Sequence, residues 1–439
     1  MASRHAPRAP RLTPLAALGL MLLLAACQRG DEILPGERFP VRPPEPAAVA
    51  PAEVPGLALP PSRLNSDWTH PRGAPGGRPE HPAIADAPAL RWSVSIGRGS
   101  GRRTRLITAP VVGGGLVFAL DSTGELSAVT TDGRLAWRTE LAPPGERGES
   151  GFGGGVAYAG GTAFVTTGYG EVLAVDAATG AIQWRHRLEA PARAAPTVLD
   201  GRVFAVARND VAVALDAASG GVLWRITGAG GGTGLLGGAS PAAEGPLVVL
   251  PFSSGEVLGV VARSGTQAWG QAVTGGRREL VRNRINDVTG DPVIAGGTVY
   301  ASNQSGRTIA LDRLTGERRW TMSEGAYGPA WPVGGSIFLM SDLGALVRAD
   351  AATGDILWSE QLPQYVDRRQ ARAVVHHGPV LAGGRLWVAS SDRLLRGFAP
   401  ASGALVASVA LPAPAAAGPA VAGGAMFVVT TDGRLHAFQ

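Results

Sequence analysis

Few residues in this chain have the type and spacing that chemistry needs. Cys27 is the sole cysteine among 439 residues, so no intrachain disulfide and no C-x-x-C redox or zinc motif can be built. His376 and His377 are adjacent, and on a strand neighbouring side chains point to opposite faces, which suits a satisfied or solvated pair better than a shared metal ion. The run Gly232-Thr-Gly234-Leu-Leu-Gly237 matches G-x-G-x-x-G, but Pro241 follows and no helix can open there to receive a pyrophosphate. No G-x-S-x-G is present. Asp176, Asp216, Asp312 and Asp350 recur at equivalent places, which marks them as turn acids rather than a catalytic pair. The candidate chemistry reduces to one thiol at the end of an apolar leader.

The acids belong to a repeated phrase. Ala174-Val-Asp176-Ala-Ala-Thr-Gly180 precedes Trp184, Ala214-Leu-Asp216-Ala-Ala-Ser-Gly220 precedes Trp224, Ala310-Leu-Asp312-Arg-Leu-Thr-Gly316 precedes Trp320, and Ala349-Asp350-Ala-Ala-Thr-Gly354 precedes Trp358. The Asp accepts hydrogen bonds from the turn amides, the Gly supplies positive φ, and the Trp stands on one face of the next strand. Upstream lies a second constant piece, as in Pro292-Val-Ile-Ala-Gly296-Gly297-Thr-Val-Tyr300, so each unit holds four short strands. Units of about 40 to 50 residues with four strands each predict an all-β, eight-bladed propeller over 88–439. The seventh unit reads as degenerate, with Pro400 and Ala407 at the Asp and Trp positions. The eighth starts at Pro419 and ends after three strands, and residues 90–96, with Trp92, are expected to supply the fourth and close the ring.

The N-terminal quarter is organised differently. Arg4, Arg8, Arg11, an apolar run through Leu24 and Leu24-Ala25-Ala26-Cys27 read as a secretory leader over 1–27. It resembles a bacterial lipobox, which implies a lipid on Cys27 and anchorage by more than one acyl chain. Residues 28–64 are rich in Pro, Ala and Glu without period and read as a disordered tether. Residues 65–87, rich in Gly and Pro, are expected to lie irregularly on the propeller with Trp68 as anchor. All forty basic residues other than histidine are arginine, and the net charge of +5, less the three leader arginines, is +2. That balance gives no footprint for nucleic acid.

Two connectors stand out as candidate partner-binding loops. One places Leu235 and Leu236 in a Gly-rich stretch ahead of the fourth blade. The other carries Arg282, Arg284 and Asp287 ahead of the fifth. An apolar pair beside a charged cluster has the make-up of a small interface; the alternative is that both loops only cover the rim.

The A-x-D-x-x-T-G-x-x-x-W phrase resembles the repeat of the PQQ-type eight-bladed propellers, which include quinoprotein dehydrogenases and the BamB lipoproteins of the outer-membrane β-barrel assembly complex. The lipobox, the Pro-rich tether, the 68–81 segment and Arg282-Asn-Arg284-Ile285-Asn286-Asp287-Val288-Thr-Gly-Asp-Pro292 are similar to the BamB family. That resemblance implies a non-enzymatic scaffold without cofactor or metal, lipid-anchored in the outer membrane and facing the periplasm. Its implied partners are the periplasmic domains of a BamA-like barrel protein and nascent outer-membrane proteins. The dehydrogenases carry a Cys pair and long insertions that this chain lacks. A propeller lipoprotein serving another envelope complex is the remaining alternative.

Overall fold

A computed structural model describes residues 56–77, 81–146, 151–230, 237–277, 285–367, 369 and 372–439. The leader, Cys27 and most of the expected tether lie outside these residues. The described chain forms eight four-stranded antiparallel sheets and one two-stranded hairpin. Seven sheets are consecutive: blades 1 to 7 span 111–140, 154–187, 197–227, 242–272, 288–322, 331–361 and 376–410. The eighth joins three strands of 420–438 to Leu90–Ser95, which pairs with Arg434–Phe438 in the register Ser93 to His436 and Val94 to Leu435. The ring therefore closes with strands from both ends of the chain, as Trp92 predicts.

Burial follows strand position. Middle strands such as Glu171–Asp176 are buried along their length, whereas outer strands such as Ile182–Arg187 alternate, because only the middle of each blade is covered on both faces. The apolar clusters accordingly sit between blades: Phe118, Leu126, Val165 and Leu173 join blades 1 and 2, and Phe204, Trp224, Leu250 and Leu258 join blades 3 and 4.

The repeated Gly and Trp stitch one blade to the next. The Trp184 indole lies on Gly220 of the following blade, where an added Cβ would come within 2.7 Å of the ring, and its N–H donates to the Ala217 carbonyl at 3.0 Å. Trp137, Trp224, Trp269, Trp320, Trp358 and Trp92 repeat both contacts, with N–H donors to the carbonyls of Ala177, Ala262, Arg313, Ala351, Pro400 and Thr131. Each such hydrogen bond contributes about 1 kcal/mol net. Within the turns, Asp176 Oδ1 accepts from the Ala178 and Thr179 amides and the Thr179 hydroxyl, and these bonds hold its carboxyl below the usual carboxylate range.

The seventh blade corrects one sequence assignment. Gly403 N–H donates to the Ala399 carbonyl as Gly354 donates to Asp350, so Ala399, not Pro400, occupies the turn-acid position. The missing Trp has a topological cause. Blade 8 takes its outer strand from the N-terminus and has no third-to-fourth turn on which a blade 7 indole could rest. Instead Trp387 stands on the second strand, where the other blades except blade 4 carry Phe or Tyr, fully buried and donating to the Ala382 carbonyl.

The N-terminal segment is more extensive than 65–87. Leu57 and Leu59 already pack against the core shared by blades 6 to 8 and 1, and Arg63 N–H donates to the His81 carbonyl, so residues 56–64 belong to the folded body rather than to a tether. From there the chain runs across one end of the ring and reaches every blade. Asn65 accepts from Gly423 of blade 8, Trp68 exchanges two 2.8 Å bonds with Val112 of blade 1, and Thr69 accepts from Tyr158 of blade 2. His70 Nε2 accepts from the Val198 amide of blade 3 at 3.0 Å. Pro75, Gly76 and Pro82 accept from Ala243, Ile294 and Gly383 of blades 4, 5 and 7. Trp68, 1% exposed, stacks on Trp331 of blade 6 with centroids 6.3 Å apart. The inner strands present N–H groups that need acceptors, and a Pro- and Gly-rich strap supplies mainly carbonyls, its own donors being few, chiefly Trp68 N–H and the Arg72 guanidinium.

Candidate partner-binding face

In a four-stranded meander the connectors to the next blade leave from the end opposite the first hairpin turns. The N-terminal strap docks at the first hairpins, so the connectors crown the other face. Those over 228–241 and 273–287 lead into blades 4 and 5, emerging on the same side of the ring; 141–153 and 362–375 are of similar length, and the last carries the hairpin Tyr365–Asp367 with Arg372–Ala373. The tips 231–236 and 278–284 lie outside the described residues, and with them Leu235, Leu236, Arg282 and Arg284.

Asp287 is described, and it is buried. Its carboxylate is held by Arg193 Nη2, whose other terminal nitrogen reaches Asp210 Oδ1 at 3.2 Å. Asp210, at the second-to-third turn of blade 3 with φ 57°, also accepts from the amide and hydroxyl of Ser253 in blade 4. A side chain that faces inward in this way positions the loop it starts from and offers no direct surface to a partner. Gly238 of the other loop lies against the same guanidinium, where a Cβ would approach Arg193 Nε to 2.8 Å. Arg193 therefore sits under the roots of both loops. Nothing in its sequence context, Pro191-Ala-Arg193-Ala-Ala-Pro196, pairs it with an acid 94 residues onward; the signal lies in the fold.

A second arginine braces the neighbouring sector. Arg277 Nη2 lies 2.8 Å from Glu324 and 3.2 Å from Asp342, joining the roots of blades 5 and 6. Burial pushes the Glu324 carboxyl up, opposed by Arg277. The root of the 273–287 loop is further fixed by the Ile285 carbonyl, which accepts from Gln304 Nε2 at 2.6 Å and from the Ser305 hydroxyl at 3.2 Å.

The ring axis holds a cavity of about 910 Å³ floored by Trp68 and Arg72. Arg72 is paired with Asp291 at 2.9 Å and donates to the Ser240 and Pro241 carbonyls. His376 is engaged at both ring nitrogens, by Ser390 Oγ at 2.7 Å and the Pro363 carbonyl at 3.0 Å. His377 lines the cavity, and burial lowers its pKa to about 4. Among the described residues no three His, Cys, Asp or Glu side chains converge as a metal site requires.

The fold alone does not separate scaffold from enzyme. It matches the crystal structure of BamB from Moraxella catarrhalis with TM-score 0.68 and 18% identity over 80% of this chain and all of that one. It also matches quinohemoprotein alcohol dehydrogenase from Comamonas testosteroni with TM-score 0.65 and 14% identity, over 85% of this chain and 80% of that one. At the level of sequence, the family model described as outer membrane protein assembly factor BamB matches residues 122–360 and 364–439. The chain belongs to the BamB family. A BamB protein named as an outer membrane protein assembly factor in Xanthomonas campestris is 30% identical over 322 residues, 70% of this chain and 77% of that protein. The BamB-family match begins within blade 1 and runs through blade 8, so it takes in both loop roots, Arg193 and Asp287.

Proposed function

We propose that this BamB-family protein is a non-enzymatic scaffold of the outer-membrane β-barrel assembly complex, anchored by lipid on Cys27 and turned toward the periplasm. It binds the periplasmic domains of a BamA-like barrel protein and assists folding and insertion of outer-membrane proteins. The observation that carries the reading is the family match across nearly the whole ring. The face with the 228–241 and 273–287 loops is the partner surface, with Leu235, Leu236, Arg282 and Arg284 as contacts and Asp287 as the buried residue that sets the second loop. Its mechanism is positional: a rigid ring holds loops at fixed spacing, and no bond is made or broken.

Affinity purification of the full-length protein from membranes tests this directly. The barrel protein is expected to co-purify with the wild type and to be lost when Leu235 and Leu236 are both replaced by Asp. Retention at undiminished yield would move the interface elsewhere. Cys27→Ala is expected to shift the protein out of the outer-membrane fraction, and unchanged fractionation would refute the lipid anchor. Purified protein is expected to bind no PQQ and to show no dye-linked dehydrogenase activity; stoichiometric binding would restore the enzyme reading.

A further inference from the structure

The outer strand of blade 7, Leu405–Ala410, differs from its counterparts. Edge strands are usually blunted by charge, by proline or by bulky cover. Arg138 and Glu140, Arg185 and Arg187, Arg225, Arg318 and Arg319, Glu360, and Arg91 stand on the outer strands of blades 1, 2, 3, 5, 6 and 8. Blade 4 has no charge there but presents Gln267 and Gln271. Blade 7 presents Leu-Val-Ala-Ser-Val-Ala, with Leu405 and Val406 55% and 52% exposed. It carries no indole of its own, because its Trp position is Ala407.

The backbone of this strand is available. It is the last in its sheet, and Leu411 N–H donates to the Arg393 carbonyl. Antiparallel alternation from that bond turns the N–H and C=O of Ser408 and Ala410 away from the sheet. Beside the strand's start lies a mostly apolar cavity of about 310 Å³ lined by Val406, Pro400, Ala401, Leu57 and Leu59, with Arg385, paired to Asp86, also in its wall. Together these give an unpaired, uncharged edge with a pocket for one side chain at its end.

We propose that Leu405–Ala410 is a strand-addition site for an unfolded segment of a β-barrel outer-membrane protein. The chemistry selects that occupant. A barrel strand is an extended run of alternating residues whose lipid-facing side chains are apolar and uncharged. Such a segment forms backbone hydrogen bonds on an open edge while alternate side chains choose the pocket, and an uncharged edge leaves none of its polar groups opposite an unmatched charge. The assignment rests on the assembly role proposed above, yet its test is independent of barrel-protein binding.

The probe is a fluorescent ten-residue peptide of alternating Val or Phe and Thr, titrated by anisotropy into the full-length protein in detergent. Wild type is expected to bind it saturably. Ser408→Pro, which deletes an outward N–H, is expected to weaken binding at least tenfold, and Ser408→Lys, which keeps that donor and adds a charge, to weaken it several-fold. Thr321→Pro at the same place on blade 5 is the control and should leave binding unchanged. Melting curves and barrel-protein co-purification are measured on all variants and are expected to match wild type. Peptide binding that is absent in wild type, or equal in wild type and both Ser408 variants, overturns the proposal whether or not the barrel protein still co-purifies. Concentration-dependent dimers abolished by Ser408→Pro, with no peptide binding, would assign the edge to a second copy and also overturn it.

Discussion

Replacing Asp287 with alanine distinguishes a residue that touches a partner from one that holds a loop in place. In the structure its carboxylate is fully buried against Arg193, which is itself 3% exposed at the side chain. Removing one member of a buried ion pair costs about 3 to 5 kcal/mol, mainly because the remaining charge is left without compensation. Here Asp210 stays 3.2 Å from the same guanidinium, so the loss belongs at the lower end, about 3 kcal/mol. Unfolding entropy of about 2.1 cal/mol/K per residue, over a body of roughly 350 residues, turns this into a fall in melting temperature of about 4 °C. Differential scanning calorimetry on the full-length protein measures it, with co-purification of the barrel protein as the second readout. Arg193→Met should cost more, since it takes the guanidinium from two carboxylates at once. The reasoning is refuted if Asp287→Ala melts within 1 °C of wild type while the barrel protein is lost, for then the carboxylate acts at the surface.

Three other outcomes follow from the geometry. Trp68→Ala removes the stacked indole at the strap's centre and is expected to cost about 3 to 5 kcal/mol in a thermal melt, whereas deletion of residues 30–54, ahead of the docked Leu57, should leave the melt unchanged. Gly220→Ala places a Cβ against the Trp184 ring at a φ of +71° and should destabilise by roughly 1 to 3 kcal/mol in chemical denaturation, while Gly221→Ala beside it should cost far less. His70 is held to a pKa of about 3 against an ordinary 6.5, first by burial and then by Arg72; the unfolded state therefore binds the proton first, and stability should fall as pH drops from about 6.5 toward about 3. His70→Gln should flatten that slope in melts followed across pH, and an unchanged slope would count against the assignment.

Much of the ring was legible because its repeat is local. The Gly and Trp of each phrase are four residues apart, and the phrase recurs at steps of about 40 to 50 residues, so strand order and N-terminal closure through Trp92 could be read from spacing. The strap was only partly legible. Leu57, Pro75 and Pro82 dock through apolar contact and carbonyl acceptance onto strands hundreds of residues away, and neither leaves a period in the sequence, so 56–64 resembled a tether. The burial of Asp287 was not legible for a related reason: an acid in a polar loop looks exposed until Arg193, supplied by a connector two blades earlier, is seen to cover it. In blade 7 the reading slipped by one residue at Pro400, because Ala399 holds the acid position with no carboxyl to mark it.

Closure by two strands far apart in sequence also sets an order of events in folding. Ser93 and His436, hydrogen-bonded at 2.6 Å, are 343 residues apart in sequence. Loop entropy makes such a span only slightly costlier than a shorter one at equilibrium, about 0.6 kcal/mol per doubling, but contacts this distant form late. Blades 1 to 7 are each built from consecutive strands and can assemble locally, while Leu90–Ser95 waits with one edge unmet for Arg434–Phe438. Loss of Arg434–Phe438 would remove one blade's third strand and, with it, the docking place of Leu90–Ser95. A lesion in either strand is then equivalent to a lesion in the other, and both would leave the same open ring.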